Sequence, residues 1–193
     1  MLTKNAKVVA MDLFQYMHIN YKGELPVKTR SGQTRYIAST NFYDVDTFPS
    51  KNYSGNNLLL IYTAETTNLS YQNFIGLGSG NATPTENDTD LNTQITSGLT
   101  LLASTFENTI DSNGNPVTKL NLTINNTSSA SLTIREIAWF VRLSTYSAQG
   151  GGNDGSTNYL FMLDRTVLTS PLTLAAGDSG TLEYSLTANW FTS

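Results

Sequence analysis

The sequence predicts an all-β protein, an antiparallel β-sandwich of jelly-roll type with a short N-terminal helix or arm. Three observations carry this. Charged residues make up only 13% of the 193 residues, about half the usual share of roughly 25%. The polarity comes instead from Ser, Thr and Asn, which favour turns and strands over helices. Short apolar or alternating runs recur along most of the chain, separated by Gly, Asn and Pro turn signals, as in sandwiches and barrels. Helical periodicity is confined to the start. One core suffices for a chain of this length. The reading divides it into residues 1–22, a helix or anchoring arm, and residues 23–193, a single β-sandwich domain.

Residues 4–19, KNAKVVAMDLFQYMHI, predict the helix: Val9, Leu13 and Phe14 recur at roughly helical spacing, as do Ala10 and Met17. The rival reading is an extended arm docked on a neighbouring subunit. Either way Val9, Leu13, Phe14 and Met17 need a partner surface, which makes them candidate assembly contacts. Ser31-Gly32 separates residues 27–30 from 33–37 and predicts a hairpin. The following stretch is rich in rings. Tyr43, Phe48 and Tyr53, with Tyr146 further on, are candidate exposed-loop aromatics, with flat apolar faces and, in tyrosine, a polar tip.

Residues 58–62, LLLIY, form a continuous apolar run that suits a strand buried on both faces. Residues 74–77 and 99–106 are the next strands. DSNGNP, residues 111–116, is a turn. Leu120, Leu122 and Ile124 then alternate with Asn121 and Thr123 as a half-buried strand. Residues 132–141, LTIREIAWFV, contain the most hydrophobic strand, which is expected at the centre of a sheet. Residues 149–155 are a Gly-rich loop. Residues 159–163 resume a strand that 164–168 continue or follow, and Pro171 and Gly177-Asp178 punctuate the tail. Leu182, Tyr184, Leu186 and Ala188 alternate with Thr181, Glu183, Ser185 and Thr187, a closing strand with one wet face. The count is eight or nine strands.

The stretch around which these strands are organised is FIGLGSGNATPTENDTDLNTQI, residues 74–95. A short apolar strand ends in Gly78-Ser79-Gly80, and then almost nothing invites burial until Leu91. Pro84 resists both helix and central strand. The expected result is a long polar loop at the surface, over residues 78–98, with Glu86, Asp88 and Asp90 on it and no base nearby in sequence. Residues 144–157 are expected to form a second surface loop.

The chemistry that composition excludes is extensive. There are no cysteines, so disulfides and Cys-ligated metals are out. A net charge of −4 argues against binding nucleic acid by phosphate neutralisation. No apolar run approaches the roughly 18 residues of a membrane span, and the run after Lys4 is cut by Asp12 and Gln15, unlike a signal peptide. The one histidine, His18, sits in the N-terminal apolar segment, reads as a partly buried or interfacial ring, and has no flanking signature of a triad. The glycines at 76–80 lack the Gly-Lys-Ser/Thr of a phosphate loop and read as a strand-to-loop turn. Asp88-Thr89-Asp90 and the 111–115 turn could offer oxygens to calcium, but a hairpin explains the second more simply, with no Glu at a twelfth loop position. Arg135-Glu136 and Asp164-Arg165 are sequence neighbours that point to opposite sheet faces. Arg135, Glu136, Arg142 and Arg165 are expected on a solvated face, or paired across strands or with another subunit. No catalytic, cofactor or metal residue is assigned, and a non-enzyme is expected.

Three segments together resemble a recurrent module of tailed-bacteriophage virion proteins: residues 74–95, SLTIREIAWFVRL over 131–143, and YLFMLDRTVLTSPLTLAAGDSGTLEYSLT over 159–187. In that module a Gly-x-Gly, Thr-x-Pro, Asp-Thr-x-Leu loop precedes an Ile-x-Glu-Ile-Gly-Leu-Phe strand. A Leu-x-x-Arg-x-x-Leu, Pro-x-x-Leu-x-x-Gly-Asp segment closes it. Here Thr83 is followed directly by Pro84, Asp88-Thr89-Asp90-Leu91 follow, and Ile134, Glu136, Ile137, Arg165, Leu168, Pro171, Leu174, Gly177 and Asp178 fall on the remaining positions. Ala138-Trp139-Phe140 replaces the module's Gly-Leu-Phe, and the N-terminal third has no counterpart. The resemblance covers about the last 120 residues. It implies a structural virion protein, made in the bacterial host cytoplasm and located in the virion, with no activity or cofactor of its own. Its partners would be other virion proteins (capsid, neck or tail subunits) and further copies of itself in a two-fold or three-fold assembly, a trimer for example. The main expectation is a protein on the capsid exterior, as decoration or head fibre, held by its N-terminal segment. The alternative is a tail-associated receptor- or carbohydrate-binding module that uses its loop aromatics. A hydrolase is a third, weaker option, because it would need acids clustered in a cleft.

Overall fold

In a computed structural model, residues 3, 4, 6, 26–37, 59–62, 72–146 and 157–187 are described. The protein is all-β with almost no helix among these residues, and every strand pairing is antiparallel. The strands are β1 (Pro26–Lys28), β2 (Thr34–Ile37), β3 (Leu59–Tyr62), β4 (Gln72–Gly78), β5 (Leu99–Ile110), β6 (Pro116–Asn126), β7 (Leu132–Tyr146), β8 (Thr157–Leu174) and β9 (Ser179–Thr187). Among the described residues one sheet has six strands, in the order β1-β2-β7-β4-β3 with β8 also on β7. The other has three, in the order β5-β6-β9.

β7, the expected central strand, has β8 along one edge and β4, then β2, along the other. The predicted hairpin at 27–37 is β1 and β2, and the 111–116 turn joins β5 to β6. In that turn the Asp111 carboxylate accepts the amides of Asn113 and Asn115, both at 2.8 Å. Its oxygens serve the turn, which is the hairpin reading of this acid. Leu120, Leu122 and Ile124 are fully buried, as their alternation predicts.

The six-stranded sheet is covered on both faces. Ile75, Leu77, Ile134 and Ile137 on one face join Leu120, Leu122, Ile124, Leu182 and Tyr184 of the three-stranded sheet in one apolar cluster. On the other face Phe74, Ala138, Phe140 and Met162 pack with Leu91, which comes from the long loop after β4. That explains why residues 137–140 lie in a continuous apolar run: Ile137 is buried on one face and Ala138 and Phe140 on the other.

β8 departs from expectation. Pro171 does not end a strand; it lies inside β8. The register makes room for it. Ile134 pairs with Leu172 and Glu136 with Val167, so the four residues 168–171 of β8 face the single Arg135 of β7, and the missing N–H is not needed there. A second break lies between Trp139, opposite Asp164, and Phe140, opposite Met162, which leaves Leu163 as the extra residue. This shift decides which face each following side chain joins. Asp164 falls on the side of Trp139 and Arg165 on the side of Ala138 and Glu136.

Asn126 ties the far ends together. It is fully buried, and its carboxamide donates to the carbonyls of Ala130, Leu174 and Ala175 at 2.8–3.0 Å and accepts from Ser128. The turns that follow β6 and β8 are thereby held together, which supports the β6–β9 pairing beside them.

Candidate functional site

The loop over residues 79–97 lies across the outer face of the six-stranded sheet, and a buried carboxylate beneath it organises it. Glu136 is fully buried on β7. Its Oε1 accepts the amides of Gly80 at 3.1 Å and Thr93 at 2.7 Å, and its Oε2 accepts the amide of Asn92 at 3.1 Å. The fourth donor is Nε of Arg165, at 2.7 Å, from β8. Backbone amides from both ends of the loop therefore converge on one side chain. The loop backbone is also stitched directly to itself and to β4, with Ser79 N donating to Thr93 O and Ile95 N to Leu77 O, both at 2.8 Å.

The glycines follow from this geometry. A Cβ on Gly78 would stand 2.5 Å from Glu136 Oε1 and 2.6 Å from the Thr93 carbonyl oxygen. One on Gly80 would stand 2.5 Å from the same Oε1. The Gly-Ser-Gly element is thus a close-approach device for a carboxylate of the chain itself, in keeping with the strand-to-loop reading. No anion from outside is required to explain it.

Arg165 continues the network outward. Its Nη1 reaches Asp88 Oδ2 at 2.8 Å, and its Nη2 donates to the Ala82 carbonyl at 2.9 Å. Asp88 also accepts from the Thr85 amide and hydroxyl at 2.9 and 2.7 Å. Burial pushes the Asp88 carboxyl up, but the Thr85 hydroxyl and amide and then the Arg165 guanidinium outweigh it and hold it below its ordinary value of 3.8. Burial likewise works against the charge on Arg165, and Asp88 and Glu136 more than offset it, so its pKa is raised.

The loop's three acids, which have no base near them in sequence, each meet one in space. Glu86 pairs with Lys4 at 3.2 Å, Asp88 with Arg165 at 2.8 Å and Asp90 with Arg30 at 2.8 Å. Arg30, in the β1–β2 turn, also donates to Gln94 and lies 5.6 Å over the Phe140 ring. Asp88-Thr89-Asp90 is therefore occupied by two arginines, an arrangement unlike a calcium loop. Among the described residues no group of three or more His, Cys, Asp or Glu is placed to hold a metal.

The expected solvated face for Glu136 and Arg165 is corrected. Both are buried, and they pair across β7 and β8 as the rival reading had it; Arg135, beside them, is exposed. The opposite-face argument for sequence neighbours holds, since Asp164 faces the other way. There it accepts hydrogen bonds from the buried Tyr184 hydroxyl of β9 and from the Thr166 hydroxyl. Burial, then the charge of Asp164, pushes the Tyr184 phenol well above its ordinary value. Sequence reading assigned this polar bridge between the sheets no role. The signal for both pairs was present: acids and an arginine inside the apolar runs of β7 and β8 must be paired when buried.

The surface loop expected over residues 78–98 is both surface and core. Asn81, Thr83, Asn87 and Thr96 are exposed, while Gly80 and Leu91 are buried. Of the candidate assembly contacts, Val9, Leu13, Phe14 and Met17 lie outside the described residues, as do the candidate aromatics Tyr43, Phe48 and Tyr53. Tyr146 ends β7 opposite Tyr36.

Chemically, this constellation holds shape. Glu136 has its oxygens engaged by four donors and is shielded from water, so it has no spare capacity as a base, nucleophile or metal ligand. No protein-family model, no curated protein and no solved structure matches the chain.

Proposed function

We propose that this chain is a non-enzymatic structural protein of a bacteriophage virion, on the capsid exterior, attached through its N-terminal segment and acting by shape and adhesion. In this reading the two sheets are the layers of a jelly-roll sandwich that forms the exposed body. The observation that carries the proposal is where the residues of the virion-module resemblance lie. Gly78, Gly80, Asp88, Glu136 and Arg165 are scattered over nearly ninety positions of sequence, yet they are bonded to or pressed against one another around a single carboxylate. A pattern whose members share one structural task is better support than a chance run of similar residues. The same node supports the non-enzymatic reading, since its ionised groups are consumed by one another.

Attachment is tested by replacing Val9, Leu13, Phe14 and Met17 together with serine and purifying particles assembled with the variant. The expected result is a variant with an unchanged β-type circular dichroism spectrum that stays in the supernatant while the wild-type chain sediments with particles. Incorporation at the wild-type level would overturn the attachment role. Absence of the wild-type chain itself from particles would overturn the virion assignment.

A further inference from the structure

We infer that Thr3, Lys4 and Ala6 form a strap that couples the N-terminal segment to the loop over residues 79–97, so that a partner drawing that segment away also loosens the loop. The identity of the partner rests on the function proposed above; the coupling does not.

Two buried residues and two grips make the strap. Thr3 and Ala6 are 1% and 3% exposed. The Thr3 amide donates to the Leu163 carbonyl at 2.9 Å, and its hydroxyl donates to the Met162 carbonyl at 2.6 Å. These carbonyls sit at the β8 register break, where Leu163 has no opposite residue on β7. The Thr3 hydroxyl oxygen also accepts the Ala6 amide at 3.3 Å, a capping contact for the helical turn at Lys4 and Ala6. Lys4 grips the other side. Its amide donates to the Glu86 carbonyl at 2.9 Å, and its ammonium reaches Asn87 Oδ1 at 2.7 Å and Glu86 at 3.2 Å. Consecutive residues thus join β8 to the part of the loop adjoining Asp88, which Arg165 holds from below.

The grips are unequal. The Lys4 ammonium and Glu86 are exposed, and such pairs contribute little. Thr3 is buried, and removing its hydroxyl leaves a buried carbonyl without that donor. Coupling between two sites is reciprocal: whatever frees Thr3 relaxes the loop, and whatever stiffens the loop holds Thr3.

The test is amide hydrogen exchange on the full chain, comparing wild type, Thr3→Val, Lys4→Ala and a deletion of residues 1–6. Thr3→Val keeps the shape and removes the hydroxyl. It is expected to speed exchange at Gly80, Asn92 and Thr93 by about tenfold, with the deletion faster still. Lys4→Ala should stay within about twofold. The Asn113 and Asn115 amides of the distant β5–β6 turn should not change in Thr3→Val. Unchanged loop exchange in Thr3→Val, or acceleration spread equally to the distant turn, overturns the coupling. If the deleted chain fails to fold, Thr3→Val decides alone. Particle incorporation of the wild type reports separately on the proposed function, so either idea can fail without the other.

Discussion

Replacing Arg165 by methionine is expected to lower folding stability by about 3–5 kcal/mol, the cost of leaving one partner of a buried ion pair uncompensated. The side chains of Arg165 and Glu136 are 3% and 0% exposed, so neither charge has water to fall back on. Methionine fills much of the volume but returns nothing to Glu136 Oε2, to Asp88 or to the Ala82 carbonyl. Glu136→Ala should be at least as damaging, because it orphans three loop amides as well as the guanidinium. Globular stability is typically about 5–15 kcal/mol, so either change removes a large share of it. Urea unfolding midpoints measure this. A loss below about 1 kcal/mol, the scale of exposed pairs, would mean that the network is not buried in solution.

The same network sets a direction with pH. The Asp88 carboxyl is held below its ordinary value of 3.8 in the folded chain. Its contribution is therefore fully present above that value and is lost as pH falls through the lowered folded pKa. In Arg165→Met this acid-side loss should shrink, because a stabiliser of the carboxylate is gone.

Gly78→Ala is the second large effect, expected at about 3 kcal/mol, the upper end for overpacking. The added carbon would lie 2.5 Å from Glu136 Oε1, 2.6 Å from its Cγ and 2.6 Å from the Thr93 carbonyl oxygen. Neither neighbour can yield cheaply. Glu136 is fixed by four hydrogen bonds, and Thr93 is backbone whose own amide is one of the donors. For a chain of this size the loss corresponds to a fall of about 6–12 °C in Tm. Gly80→Ala meets the same Glu136 Oε1 at 2.5 Å and the backbone-fixed Asn92 Cβ at 2.8 Å, so only Asn92 Oδ1 can swing aside and a loss of comparable size is expected. Equal, small shifts for both variants would contradict the close approach to Glu136.

Much of the strand pattern is legible in the sequence. Alternation marks β6 and β9, the 111–116 turn marks β5 as the hairpin partner of β6, and the apolar run at 137–141 marks the central strand. What is not legible has a physical reason. A residue pattern reports how many faces of a strand are buried, not what covers them. The outer face of the six-stranded sheet is covered by a loop whose side chains are polar, so composition reads it as surface. Apart from Leu91, the loop's buried contribution is made by backbone amides, which every residue has and which no composition reveals. Pro171 misleads for a related reason: it is a strand breaker only where the ladder needs its N–H, and the register break removes that need. Glu136 and Arg165 were visible as charges in apolar runs, but their mutual partnership depends on a two-strand register that only the fold supplies.

Amide exchange at Gly80, Asn92 and Thr93 in the unmodified protein tests most directly whether this polar loop belongs to the core. These three amides are expected to exchange orders of magnitude more slowly than unprotected peptide, because each is released only when the loop lifts off Glu136. Exchange at the rate of unprotected peptide, independent of the ladder, would show that the loop is not fastened to Glu136 and would remove the basis for the structural reading.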